Sequence, residues 1–204
     1  MTNRKYSVIV FDLGNVLIPF NYDTALEKLD KIDKGMGNRF WSFYQDNYQI
    51  HRGFERGDIP EEEFIKAMLT ILDNKVDEKT FCEYYSGVFT ENKDVSALLP
   101  ELKKKYMLVL LSNTNSIHRE YGWKDYSFLK YFDKLILSHE VNSLKPEEKI
   151  YRSVENFTHK PSAEHIFIDD VEEYVLAAKK CGWDGVQFKN YTQLVGDLKG
   201  RGII

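Results

Sequence analysis

The chain has 204 residues, 43% of them hydrophobic and 29% charged. That is an ordinary globular balance, sufficient for a sizeable core and contrary to pervasive disorder. A formal net charge of −4, with Lys and Arg scattered rather than striped, argues against a binder that tracks a nucleic-acid backbone.

Cys82 and Cys181 lie far apart, outside any CxxC or Cys/His cluster. This pattern argues against a disulfide framework or thiolate zinc site and fits a reduced cytoplasm. The longest apolar runs, 8–11 and 107–111, fall far short of the roughly 20 residues a membrane helix needs. The amino-terminal run breaks at Asp12, too early for a signal-peptide core. The expectation is a cytoplasmic protein with no membrane or nucleic-acid partner, monomeric by default.

The first apolar run, 6–11, reads as a strand that delivers Asp12 to a glycine-containing turn, in the order V-I-V-F-D-L-G-N-V-L. A lone Asp after a strand is most often a loop cap; its context decides. The stretch 18–91 has no convincing strand. Leu26, Leu29 and Ile32, then Phe64, Met68, Ile71 and Leu72, then Phe81, Tyr85, Val88 and Phe89 follow helical spacing. Two glycines and a proline in 51–60 predict a loop between helices. Within that loop His51, Glu55 and Asp58 read as solvated residues, or as proton donors to a site. Trp41, Tyr44, Tyr48, His51 and Phe54 read as a local helical core, or as the wall of a pocket.

The next strands fall at 106–111, 135–137, 165–168 and 185–188. Between the later ones, 146–157 opens with Pro146 and two glutamates, and 172–181 ends before Gly182, which are start and stop signals for helices. Strand alternating with helix predicts an α/β, Rossmann-like three-layer core with a mainly parallel sheet. Its active site would lie outside the carboxyl ends of the strands. Ser112 and Asn113 follow the second strand in M-L-V-L-L-S-N-T-N, suited to a phosphate but equally common in turns. Lys145 precedes Pro146 in S-L-K-P-E-E-K, usually a surface position, yet a point charge able to neutralise a phosphoryl group. Asp169 and Asp170 close the fourth strand in H-I-F-I-D-D. Adjacent carboxylates repel unless a cation or solvent relieves them, and charged oxygen ligands suit Mg²⁺.

Asp, Ser, Lys and Asp-Asp in this order, three of them at strand ends, resemble the four motifs of the haloacid-dehalogenase superfamily over nearly the whole chain. The D-L-G-N-V opening, the E-R-G-D-I-P-E-E-E-F segment and the L-S-N-T-N turn look most similar to small bacterial sugar-phosphate phosphatases of the α-glucose-1-phosphatase type. The resemblance implies a core of residues 1–17 and 92–204 and a small inserted helical cap of the C1 type at 18–91. It implies a phosphatase acting on a small phosphorylated metabolite through an aspartyl-phosphate on Asp12. Ser112 and the amide of Asn113 would hold the phosphoryl oxygens and Lys145 would neutralise charge. Mg²⁺ would bind Asp12, the Gly14 carbonyl and Asp170, with Asp169 in direct or indirect support.

Gly14 departs from the pattern, because most relatives carry there a second aspartate that protonates the leaving group, help typically worth about 10² to 10⁴ in rate. Val171 and Tyr174 stand where relatives commonly have polar residues, with Glu173 as a candidate substitute. A 2-haloacid dehalogenase, a phosphomutase and a non-catalytic binding protein are the competing readings.

Overall fold

The computed structural model describes residues 5–204. Five parallel strands, β1 (Val8–Phe11), β2 (Met107–Ser112), β3 (Lys134–Leu137), β4 (His165–Asp169) and β5 (Asp184–Gln187), form one sheet in the order β3-β2-β1-β4-β5. The register aligns Val8 with Met107 on one side and with His165 on the other. All four residues of β1 are buried, as a continuous apolar run at the centre of a parallel sheet requires.

Successive side chains point to opposite faces. Ile9, Phe11, Leu108, Leu110, Ile166 and Ile168 belong to one buried cluster, completed by Leu194 and Leu198. Val8, Val10, Val109, Leu111 and Phe167 belong to another, with Ile150, Tyr151 and Val154. Burying each such side chain stabilises the fold by roughly 1.5–3 kcal/mol before conformational entropy is counted. The result is the three-layer α/β core.

The helices are α1 (Asp23–Ile32), α2 (Met36–Asp46), α3 (Tyr48–Arg56), α4 (Glu61–Ile71) and α5 (Glu78–Ser86), all between β1 and β2. After them come α6 (Lys93–Ser96), α7 (Leu99–Lys103), α8 (Ser116–His118), α9 (Ser138–Val141), α10 (Glu148–Thr158), α11 (Glu172–Lys180) and α12 (Tyr191–Gly200). The first five share a separate core that includes Leu29, Phe40, Phe54, Phe64, Met68 and Phe81. The Ser138 hydroxyl donates to the Glu55 carbonyl at 2.6 Å, and Arg56 pairs with Glu147, fastening α3 across the sheet's carboxyl edge.

Two local expectations are corrected. The 51–60 segment is not a loop for most of its length, because α3 runs to Arg56. Gly53 is there for packing: a Cβ would meet the Ile59 side chain at 2.9 Å. The actual stop is Gly57 at φ +85°, a left-handed conformation that favours glycine. Pro146 does not open its helix either. Glu147 donates its N–H to the Leu144 carbonyl at 2.8 Å in a turn, and α10 begins at Glu148. No helix among the described residues is long and apolar enough to cross a membrane.

Candidate active site

The sheet order changes direction beside β1, where the chain returns from β3 across to β4, and a crevice opens at the carboxyl ends of the strands at such a switch. Asp12 stands there, its N–H donating to the Ile168 carbonyl at 2.9 Å and its side chain buried. A tight turn follows, with Ile18 N–H bonded to Leu13 O and Asn15 at φ +54°. Asn tolerates that left-handed conformation better than most residues.

Lys145 is 1% exposed, the reverse of a solvated lysine. Its Nζ donates to Asp12 Oδ1 and to Asp169 Oδ2, both at 2.6 Å, and lies 5.1 Å from the centre of the Tyr174 ring. Ligand-capable oxygens of Asp12, Asp169 and Asp170 lie within 4.8 Å of one another. The four sequence candidates Asp12, Lys145, Asp169 and Asp170 therefore converge.

The two adjacent acids differ. Asp169 is fully buried and spends one oxygen on Lys145 and the other on the Val171 N–H at 2.8 Å. Asp170 lines the cavity and accepts from Asn15 Nδ2 at 3.1 Å. Burial pushes the Asp12 carboxyl up, Lys145 opposes this, and the charge of Asp169 adds to it. Asp170 is raised as well, by burial and by Asp169, against the Asn15 hydrogen bond. Three carboxylates against one ammonium leave excess negative charge in a low dielectric, which a hard divalent cation on oxygen ligands relieves. The Gly14 carbonyl accepts from Val16 N–H at 2.7 Å and retains a second lone pair. The donor set fits such a cation.

Ser112 and Asn113 reach the same cavity. The Asn113 side chain is a clamp on the lysine segment: Oδ1 accepts from Lys145 N–H at 2.8 Å and Nδ2 donates to Lys145 O at 3.1 Å. Sequence reasoning named only its backbone amide, and it missed Asn15. The one available signal for Asn15 was an Asn directly after glycine in a turn.

The cavity holds about 380 Å³. Asp12 and Lys145 lie on its core side, and α2 and α3 close the other. Trp41, Tyr44, Tyr48 and His51 line it, whereas Phe54 stacks on Phe64 at 4.2 Å inside the helical core. His51 and Glu55 are buried cavity residues rather than solvated loop residues, because the segment is helical and turns that face inward. Asp58 remains a surface residue, paired with Arg56 at 3.4 Å. Glu173 is exposed and away from the cavity, and Tyr174 occupies the wall instead.

His118, stacked on Tyr85 at 4.2 Å, is pushed down to about 3 by burial, with His51 acting in the same direction. The unfolded chain takes up this proton near the ordinary 6.5, and the folded chain does so only near 3. Stability is thus fully present above 6.5 and falls on acidification through that window, by about 1.4 kcal/mol per pH unit for one proton. Urea unfolding from pH 7 to 4.5 is expected to show this slope, and His118→Gln to reduce it by one proton.

The sequence model of the haloacid dehalogenase-like hydrolases matches residues 9–187. A HAD family enzyme from Bacteroides thetaiotaomicron, crystallised with magnesium and inorganic phosphate, superposes with TM-score 0.80 at 28% identity, covering 93% of this chain and 98% of its own. A predicted HAD-like hydrolase from Porphyromonas gingivalis superposes at TM-score 0.77 and 23% identity, with coverage of 95% and 98%. An L-2-haloacid dehalogenase from Xanthobacter autotrophicus shares the fold at TM-score 0.65 and 18% identity, covering 98% and 84%.

Proposed function

Because the chain belongs to the haloacid dehalogenase-like hydrolase family, we propose that it is a Mg²⁺-dependent phosphatase of a small phosphate monoester, a sugar phosphate, working through an aspartyl-phosphate on Asp12. The observation that carries this reading is the buried lysine bonded at once to Asp12 and Asp169, beside the cavity-facing Asp170. A haloalkanoate needs no such excess of carboxylates, since halide leaves without a phosphoryl charge to neutralise. The Bacteroides relative's magnesium and phosphate support the same choice.

In this reading an Asp12 carboxylate oxygen attacks phosphorus, the bond from phosphorus to the leaving oxygen breaks, and that oxygen leaves with the electron pair. Water then attacks the aspartyl-phosphate, releasing phosphate and restoring Asp12. Splitting one displacement into two lowers each barrier. Lys145 holds Asp12 in place and neutralises charge on the transferring group, with Ser112 and the Asn113 amide on the phosphoryl oxygens. Asp12, the Gly14 carbonyl and Asp170 would hold Mg²⁺, which would supply further charge neutralisation there, while Asp169 positions Lys145. Residues 18–91 act as the cap over a core of 5–17 and 92–204, with residues 1–4 of the expected core outside the described residues. The buried free thiols Cys82 and Cys181 suit a reducing cytoplasm.

Purified protein with Mg²⁺ is expected to release phosphate from 4-nitrophenyl phosphate, to stop in EDTA, and to release no halide from 2-chloropropionate. Halide release without phosphate release would overturn the reading.

Gly14 leaves the leaving group without its usual proton donor. A Cβ at Gly14 would meet only the Phe20 ring, at 3.4 Å, an ordinary van der Waals contact, so the position has room for a side chain. Gly14→Asp is expected to raise turnover of alkyl phosphates relative to aryl phosphates by about tenfold or more. Rates on matched aryl and alkyl esters check it, and an unchanged ratio would count against the assignment of the missing acid to this position.

A further inference from the structure

The helical side of the cavity carries an arrangement that phosphoryl transfer alone does not require. Glu55 is buried at 8% exposure, yet lines the cavity. One oxygen lies 3.2 Å from His51 Nε2 and the other accepts from Arg52 Nη1 at 3.0 Å. His51 is fixed in turn: the Tyr85 hydroxyl meets its Nδ1 at 2.9 Å, and Asn115, from the turn after β2, donates to that hydroxyl at 3.4 Å. Burial raises Glu55, but His51 and Arg52 outweigh it and hold the group below the ordinary carboxylate range.

An ionised carboxylate is an acceptor with about four lone-pair sites and no proton to give. His51 and Arg52 engage two of them. A buried charge with unused acceptor sites in a cavity wall costs free energy unless a donor arrives. It cannot replace the acid missing at Gly14, because it holds no proton. What it can do is accept a hydrogen bond from the substrate.

The same cavity also has an aromatic wall. Trp41 and Tyr44 stack with ring centres 5.5 Å apart and 9° between planes, and both line the cavity. An aromatic face and a carboxylate acceptor in one cavity suit a ring with C–H groups on its face and O–H groups at its edge. An aromatic wall with a carboxylate also suits a quaternary ammonium, but the Arg52 guanidinium already neutralises this carboxylate. The same pairing presents no net charge to an anionic leaving group, so the wall favours an uncharged one.

We propose that Glu55 is the specificity-determining residue of the cavity, accepting a hydrogen bond from a hydroxyl of an uncharged, ring-shaped leaving group that lies on the Trp41–Tyr44 pair. This rests on the phosphatase reading, with phosphorus at Asp12. Glu55 selects the alcohol and Asp12 attacks the phosphate.

The test compares myo-inositol 1-phosphate with cyclohexyl phosphate, the same ring size with and without hydroxyls, in wild type, Glu55→Gln and Trp41→Ala. Using the ratio of kcat/KM cancels any difference in leaving-group basicity common to all three proteins. Wild type is expected to favour the hydroxylated ester. Glu55→Gln is expected to reduce that preference about 10- to 100-fold, the loss of one hydrogen bond to a charged acceptor. Trp41, half-buried on the cavity wall, tests the same wall with a variant that leaves the Glu55 pairing in place, and its truncation should raise KM for both esters.

Thermal unfolding confirms that each variant is folded before its ratio is read. An unchanged ratio in folded Glu55→Gln overturns the proposal. So does a preference for choline phosphate over both rings that Glu55→Gln abolishes. If no ester is hydrolysed by wild type with Mg²⁺ while 4-nitrophenyl phosphate is also inert, the phosphatase reading itself has failed. Turnover of 4-nitrophenyl phosphate without selectivity overturns the Glu55 assignment alone.

Discussion

Asp12→Asn is expected to lower kcat on 4-nitrophenyl phosphate with Mg²⁺ by on the order of 10⁴ or more, as loss of a covalent nucleophile does elsewhere. The same change is expected to stabilise the protein in EDTA. Asp12 is held above its ordinary 3.8 by burial, and Asp169 adds to this against Lys145. A carboxyl whose folded pKa is raised costs stability once pH exceeds the unfolded value, so ionising Asp12 at neutral pH works against folding. Asn keeps an oxygen for Lys145 Nζ and removes the charge. An increase of about 1–2 kcal/mol at pH 7, the usual scale of a trade between function and stability, is the expected size. Urea unfolding of both proteins in EDTA measures it, beside steady-state rates with Mg²⁺. Retained turnover would remove Asp12 from its role; lower stability in EDTA would contradict the electrostatic account.

Lys145→Met is expected to damage both properties. The ammonium is 1% exposed and joins Asp12 to Asp169. Without it three clustered carboxylates lack a countercharge, and breaking a buried ion pair by removing one partner costs about 3–5 kcal/mol. Methionine fills the space among Tyr174 and Phe167 without replacing the charge. Turnover should fall by about 10³ or more, beyond the loss of a single oxyanion donor, because nucleophile positioning and charge neutralisation both depend on Nζ. Mg²⁺ is expected to restore part of the stability and little of the rate. The two effects separate in a thermal scan with and without Mg²⁺ and an assay at saturating Mg²⁺. Recovery of full turnover at high Mg²⁺ would show that Lys145 serves only as a countercharge.

The sequence by itself was sufficient for the sheet and for the row of polar residues along its carboxyl edge. A strand buried on both faces is a short continuous apolar run, and the first polar residue after it must emerge at the carboxyl end. Asp12, Ser112 and Asp169-Asp170 were legible for that reason; Lys145 was singled out only by the family resemblance, since its place before a helical pattern reads as a surface position. Local signals failed where their cause lay elsewhere in the chain. Gly53 resembled a turn glycine because nothing nearby reveals that Ile59 packs onto it. The inward face of α3, and with it His51 and Glu55, depends on which side of that helix meets the sheet edge. The division between Asp169 and Asp170 depended on Lys145, and the second use of Asn113 on a backbone 32 positions away. Periodicity reports how a segment is buried; hydrogen bonds and ion pairs between distant segments decide what a buried polar group faces, and only the assembled fold brings those partners within reach.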